Sequence, residues 1–400
     1  MKITDLSTTL FAFDQNRYLG DANGPGGRNR GSSCMLELHT DAGLVGVAMG
    51  SPGVVPQARS LVERALEGQD PRAATGLWQA MASLNFKGGH DGLVNDAIAV
   101  LDMAVWDLKA KANGEPLWKT LGGGRPRIPC YASGLDMPLT DDELHAFYRG
   151  MASDYGMRAG KLKVGLDQDD DLRRLEVMRD ALSVADDRPG LLIDANEYWS
   201  PKQAIRKVRE MEERFDLGWV EEPARRWDFL GLRRIRDAIR TPLCAGENLD
   251  TLGDFLPYFH HRSTDIVQVS VGMGGITSAL QIADAALGCE LPVTLGGSAG
   301  MIHTHLAAVM PHVMNIEVPD PAPTEGVFST DIRVDDGWLT AGDRPGLGLD
   351  IDRNALQRQQ VDAAPPRSGP SPAGRRPGAG LYEVPITDAE RRHEISGLSV

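Results

Sequence analysis

The chain is predicted to be an α/β protein, a closed (β/α) barrel preceded by an N-terminal α+β capping unit. Three observations predict it. Four hundred residues with 42% hydrophobic content suffice for a barrel with an added domain. After residue 127, short apolar β-rich runs alternate with amphipathic helical stretches at intervals of roughly 25 to 30 residues, the pattern of parallel strands joined by crossover helices. Before residue 125 the pattern differs, with a hairpin and then one long helix.

The hairpin is read from Cys34-Met35-Leu36-Glu37-Leu38-His39, the turn residues Asp41-Ala42-Gly43 and the run Leu44-Val45-Gly46-Val47. The polar, Gly- and Asn-rich segment from Gln15 to Ser32 reads as a mobile loop. With Arg28 and Arg30 it either closes over an anionic substrate or is plain solvated loop. From Asp91 to Lys111, Val94, Ala97, Ile98, Leu101, Ala104, Val105 and Leu108 fall at helical spacing, which Gly114 and Pro116 stop. The barrel strands are predicted at 128–132, 160–164, 191–195, 218–221, 243–246, 266–270, 292–295 and 313–318. The expected organisation is a capping domain over residues 1–125, the barrel over 126–320, a segment over 321–361 that packs back on the cap, and a flexible linker and tail over 362–400. In the third of these, Val334 to Leu339 reads as a return hairpin. Residues 362–380 are too rich in Pro, Gly, Ser and Arg to bury a core.

Composition excludes several function classes. Forty-two basic against fifty-six acidic residues give a formal charge of −14, with no basic run to track a phosphate backbone, so no nucleic-acid partner is expected. No apolar stretch reaches the length of about 18 residues needed to span a bilayer, and the first residues lack a signal peptide's apolar region. Cys34, Cys130, Cys244 and Cys289 are scattered, which suggests reduced thiols in a cytoplasm. A homo-oligomer of at least two subunits is expected from the habit of soluble enzymes.

The C-terminal ends of barrel strands converge on the catalytic face, and here they are charged. The second strand carries Lys161-Leu162-Lys163. The third ends in Asp194-Ala195-Asn196, the fourth in Glu221-Glu222-Pro223 and the fifth in Gly246-Glu247-Asn248. Carboxylates from three consecutive strands would repel across the barrel mouth unless a cation sat between them, and magnesium, a hard ion that prefers oxygen, suits that role. The two lysines share one face of their strand. Like charge and burial should lower the pKa of at least one, leaving a neutral amine as a general base. A substrate carboxylate on the metal would then lose its α-proton to Lys163, the metal stabilising the enolate charge.

These motifs, in this order, resemble the mandelate racemase and muconate lactonizing branch of the enolase superfamily. Asp102 with Trp106-Asp107-Leu108-Lys109, then Leu121-Gly122-Gly123, and Gly274-Gly275-Ile276-Thr277 extend the resemblance over about residues 1 to 350. The pairing of a lysine base with magnesium is a documented pattern of that superfamily. The resemblance implies a modified TIM-type (β/α)7β barrel. It implies Asp194, Glu221 and Glu247 as magnesium ligands, Lys163 as base and Lys161 as its electrostatic neighbour. Glu222 then lies behind the ligands, and Asn196 and Asn248 orient carboxylates or waters. Glu317, in Asn315-Ile316-Glu317 of strand eight, is either a residue of the substrate pocket or a plain ion-pair partner.

The sequence departs from the branch in one respect. Relatives usually place a second acid/base on the far side of the substrate, either a lysine ending strand six or an Asp there paired with a His after strand seven. Here Val269-Ser270 and Gly296-Gly297 stand there; Ser270 either lines the pocket without chemistry of its own or takes no part in it. His303 and His305 read as structural; His90, Asp136 and Tyr198 are the remaining candidates for an acid. The expected reaction is removal of the proton alpha to the carboxylate of a small substrate, leading to dehydration of a hydroxy acid or sugar acid. The alternatives are a racemase, epimerase or cycloisomerase of the same superfamily, and a non-catalytic metal-binding relative.

Overall fold

The chain begins with a long antiparallel pair, β1 (Ile3–Leu19) and β2 (Arg28–Thr40), followed by β3 (Val45–Gly50). The computed structural model of the protein describes residues 1–89, 91–297, 302–321, 325–364 and 379–380. His90 and most of the expected tail therefore lie outside the described residues. The expected turn forms between β2 and β3, with Gly43 at φ +76 in the left-handed conformation that an L side chain disfavours. The expected mobile loop is corrected. Asp14 pairs with Arg30 and Leu19 with Arg28, so the strands run through most of the Gln15 to Ser32 segment and only its tip turns. Strand pairing needs only backbone groups, which is why polar residues could carry it.

Helices α1 (Val55–Leu61), α2 (Ala74–Leu84), α3 (Leu93–Asn113) and α4 (Leu117–Thr120) complete the cap. Apolar side chains on nearly every face bury α3, which ends at Gly114, φ +70, as the spacing predicted. The barrel follows. Its eight parallel strands among the described residues are β4 (Arg127–Ser133), β5 (Ala159–Lys163), β6 (Gly190–Asp194), β7 (Leu217–Glu221), β8 (Leu243–Ala245), β9 (Ile266–Val269), β10 (Val293–Leu295) and β11 (Val313–Val318). They pair in sequence order, and β11 closes on β4 with Glu317 opposite Tyr131.

The crossover helices are α5 (Asp141–Tyr155), α6 (Gln168–Leu182), α7 (Pro201–Met211), α8 (Phe229–Ala238), α9 (Leu252–His261), α10 (Val271–Gly288) and α11 (Ile302–Ala307). Capping boxes start α5 at Thr140 with Glu143, α7 at Ser200 with Gln203 and α9 at Thr251 with Asp254. By satisfying the free N–H groups of each first turn, these caps let a helix begin a few residues past its strand. The α7 and α9 caps keep short the strand-end loops that carry Asn196 and Asn248.

Two buried aspartates of α3 tie the cap to the rest of the chain, Asp102 to the barrel and Asp107 to the segment that follows it. Asp102 accepts hydrogen bonds from the Thr277 N–H at 2.7 Å and the Thr277 hydroxyl at 2.8 Å, and that hydroxyl also receives the Trp106 indole N–H at 2.9 Å. Gly275, φ +83, kinks α10 to let this happen, because a Cβ there would lie 2.8 Å from Asp102 Oδ2. Asp107 accepts from the N–H groups of Val47 at 2.9 Å and Leu347 at 2.7 Å and pairs with Lys111 at 2.6 Å.

The last short elements are β12 (Phe328–Thr330), β13 (Arg333–Asp335), β14 (Trp338–Thr340), β15 (Leu349–Ile351) and α12 (Arg353–Gln359). The hairpin read from Val334 to Leu339 exists, as β13 and β14, but it joins the barrel: β14 pairs antiparallel with the start of β4. The flanking residues pack on the cap instead. Val327, Ala355 and Leu356 bury against Phe11, Met35 and Val47, and Arg353 pairs with Glu37 at 2.5 Å.

Candidate active site

Strand alternation sends Lys161 and Lys163 of β5 to the same side, with Asp194 of β6 and Glu221 of β7 beside them in register: Lys163 lies opposite Asp194, and Asp194 opposite Glu221. Glu247 follows β8, where Gly246 at φ +133 turns the chain. One carboxylate oxygen from each of Asp194, Glu221 and Glu247 lies within 4.8 Å of the others. Lys161, wholly buried, donates to Glu221 at 2.6 Å and to Glu317 at 2.9 Å, and stands 3.7 Å from Asp194. Lys163, 3% exposed, is hydrogen-bonded to Asp194 Oδ2.

The electrostatics follow from burial and crowding. Burial, reinforced by neighbouring carboxylates, pushes Glu221 well above the usual range and Glu247 up to about 7. Burial works the same way on Asp194 and Glu317, but the lysine charges overturn it, leaving Asp194 lowered and Glu317 held at about 2. The expectation of a depressed lysine is corrected. Burial does disfavour both ammonium groups, yet the carboxylates outweigh it, Glu221 and Glu317 around Lys161 and Asp194 beside Lys163, so both are raised. An all-oxygen, buried donor set with more negative charge than its lysines neutralise fits a hard divalent cation.

The supporting residues are placed as follows. The Glu222 carboxylate is not among the three that cluster. It receives the Asn248 amide at 2.9 and 3.0 Å, and its backbone is held at φ +39. Asn248 therefore orients Glu222. Asn196 reaches Asp194 through its backbone N–H, 2.8 Å from Oδ1. Glu317 accepts from the Gly297 N–H at 2.8 Å as well as from Lys161. Ser270, buried, immediately precedes α10, and a Cβ on Gly297 would lie 2.7 Å from its hydroxyl.

His303 accepts from the Val271 N–H at 3.2 Å and His305 lies 3.3 Å from the Leu347 carbonyl. Burial depresses both imidazoles to about 4, as suits structural residues. Asp136 is committed to Tyr148, Arg174 and the Lys163 backbone, and Tyr198 is buried beneath Gly165. Among the described residues, β9 and β10 end without an acid/base side chain.

Three groups at the mouth escape a reading of the sequence. The tip of the β1–β2 hairpin docks on the barrel: Gly20 N–H donates to the Leu135 carbonyl at 2.7 Å, and the Asn23 amide donates to the Asn196 carbonyl at 2.9 Å. Arg17 donates to the carbonyls of Gly134 and, at 3.2 Å, Pro319, while Arg28 and Arg30 stay exposed. The third group, Gln268 on β9, is fully buried with neither amide atom partnered. Only the Gly and Asn content of the tip hinted at a docking turn.

Comparison with known proteins agrees with this geometry. Residues 25–122 match the mandelate racemase / muconate lactonizing enzyme N-terminal domain, and residues 143–355 match the enolase C-terminal domain-like family. An L-talarate/galactarate dehydratase of Salmonella typhimurium is 32% identical over 343 residues, covering 82% of each chain. A 3,6-anhydro-alpha-L-galactonate cycloisomerase of Streptomyces coelicolor is 33% identical over 302 residues, covering 74% of this chain and 81% of its own. The crystal structure of a racemase from Streptomyces coelicolor with bound magnesium superposes with a TM-score of 0.82 at 29% identity, over 90% of this chain and all of that one. A closed barrel, an α+β cap and a mouth of paired lysines and carboxylates on the expected strands thus accompany matches to both domains, and the chain belongs to the mandelate racemase/muconate lactonizing branch of the enolase superfamily.

Proposed function

We propose that this enzyme removes the proton alpha to the carboxylate of a small hydroxy acid or sugar acid and expels water through an enolate intermediate. The observation that carries the reading is the adjacency of Lys163 to a buried triad of carboxylates, Asp194, Glu221 and Glu247, at one end of the barrel. These three residues would hold magnesium. When bound there, magnesium would neutralise the carboxylates that keep the lysines protonated and stabilise the negative charge of an enolate.

The chain's own groups divide the remaining work. Lys163, at the lip of the cluster, takes the α-proton as general base. Lys161, saturated by Glu221 and Glu317, stays an ammonium and supplies a fixed positive charge beside the developing negative one. Glu317, fixed by Lys161 and the Gly297 N–H, lines the pocket with Ser270, while Asn248 holds Glu222 behind the ligands. With no acid/base at the described ends of β9 and β10, Lys163 serves one face of the substrate. It can return its proton to a hydroxyl leaving from that face, which suits a syn elimination better than a two-base racemisation. The cycloisomerase relative favours a second reading, cyclisation or ring opening on the same one-base geometry.

In this reading residues 126–320 carry the chemistry, and residues 1–125 with 321–361 close over it. The partner is a small carboxylate, and the assembly a homo-oligomer. Among the described residues no helix is long and apolar enough to cross a membrane. The test is NMR of the magnesium-loaded protein in D₂O with galactarate, arabinonate and 3,6-anhydrogalactonate. Deuterium uptake or water loss that vanishes in Lys163→Ala supports the reading. Turnover that survives in that variant refutes the base, and a wild type silent toward hydroxy acids refutes the reaction.

A further inference from the structure

One buried charged cluster takes no part in the chemistry above: Asp136, Arg174 and Tyr148, which come from the loop after β4, from α6 and from α5. Asp136 and Tyr148 are wholly buried and Arg174 is 6% exposed. Their bonds converge on the main chain of the lysine strand. The Lys163 N–H donates to Asp136 Oδ1 at 3.0 Å, and Arg174 donates to the Lys163 carbonyl at 2.7 Å. Arg174 also pairs with Asp136 Oδ1 at 2.9 Å, and the Tyr148 hydroxyl lies 2.6 Å from both Asp136 Oδ2 and the Lys161 carbonyl.

The need for such a bracket follows from the sheet. The β4 register ends with Ser133 opposite Lys161, so beyond that point β4 offers β5 no ladder partner. In a parallel ladder, residues two apart turn their N–H and C=O groups toward the same neighbour. Lys163 therefore reaches past the end of β4 with both backbone groups unsupported on that side. Side chains replace the missing strand, the carboxylate taking the N–H and the guanidinium taking the C=O. Buried backbone groups must be satisfied, but water or a longer β4 would do that as well. A paired charge is a costly substitute unless position matters.

The loop that carries Asp136 is itself held in place. Leu135 sits at φ +45, a left-handed conformation that a leucine adopts only when its surroundings impose it. Arg17 and Gly20 of the cap hairpin hold the carbonyls on either side, those of Gly134 and Leu135.

We propose that Asp136, Arg174 and Tyr148 are positioning residues for Lys163: they fix the backbone from which the base reaches the substrate, and the cap hairpin grips the loop that carries Asp136. The proposal rests on the assignment of Lys163 as base. A displacement of about 1 Å at a reacting group can cost on the order of 10²-fold in rate.

The experiment follows α-proton exchange of galactarate in D₂O by magnesium-loaded enzyme. Rates are measured per folded molecule, with Tm recorded for each variant. Asp136→Ala and Arg174→Met are expected to lower kcat about 10²-fold with KM within about threefold, and Tyr148→Phe to lower it about 10-fold. Asp136→Asn and Arg174→Lys, which keep an acceptor and a cation in place, are expected to recover about 10-fold of that loss. If Asp136→Ala does not fold, Arg174→Met and Tyr148→Phe carry the test. Variants that lose Tm but keep wild-type kcat per folded molecule would overturn the positioning role while leaving the base intact. Full exchange by Lys163→Ala would instead overturn the base assignment, and the proposal with it.

Discussion

Replacing Lys161 by methionine keeps most of the side chain's length and removes its charge. The ammonium it removes is wholly buried and bonded at 2.6 Å to Glu221 and 2.9 Å to Glu317. Truncating one partner of a buried ion pair leaves the other uncompensated, at a cost of about 3–5 kcal/mol. Unfolding entropy of roughly 2 cal/mol/K per residue converts a loss of about 4 kcal/mol, over the described chain, into a fall in Tm of about 5 °C. The assay is calorimetry of wild type and Lys161→Met in EDTA and then in magnesium. Magnesium is expected to raise Tm more in the variant, because a dication restores positive charge beside Asp194 and Glu221. A double-mutant cycle isolates the pair: Glu317→Gln should destabilise the wild type yet recover about 1–2 kcal/mol in the Lys161→Met background. A Tm unchanged within 1 °C or so, or strict additivity with Glu317→Gln, would refute the idea that Lys161 neutralises this cluster.

Three further outcomes are expected. Burial raises Asp102 to about 7, from the roughly 3.9 of an ordinary aspartate. The folded state therefore binds the extra proton between those values, and Asp102 makes stability fall as pH rises from about 4 to 7. Asp102→Asn should remove that slope, worth on the order of 4 kcal/mol across the window, and a variant with an unaltered Tm-versus-pH profile would refute it. Gly275→Ala places a Cβ 2.8 Å from Asp102 Oδ2 and 3.2 Å from the Ala99 backbone at φ +83, so denaturant titration should show a loss of about 2 kcal/mol or more. Glu247→Gln removes one oxygen anion from the triad and should weaken magnesium binding, read by isothermal titration calorimetry, by at least about 10-fold. Equal affinity would exclude Glu247 as a ligand.

The parts of the fold that sequence made legible are those where one residue type has one physical use. Helix-period apolar spacing marked α3, and charged residues at the ends of apolar runs marked the mouth, because an acid in such a place needs a partner. What stayed hidden depends on registers and distances. The extension of β1 and β2 through Asp14 and Arg30 rests on backbone pairing that polar side chains do not advertise. The direction of the lysine shifts turned on the number of carboxylates reaching Lys161, and Glu317 arrives there only when β11 closes on β4. Asp136, Arg174 and Tyr148 meet from three elements and share no spacing motif. The β13–β14 hairpin was visible, but its choice of the barrel over the cap is a matter of which strand edge is free.

The apolar face of the cap sheet has a consequence for synthesis. Phe11, Met35 and Val47 are covered by Val327, Ala355 and Leu356, so this sheet waits for residues translated long after it. Until roughly 300 further residues have been translated, one side of that nascent sheet has no cover, and at about 5–20 residues per second the wait lasts tens of seconds. Translation rate and chaperone supply, rather than the stability of the finished barrel, are then expected to set the yield of folded enzyme.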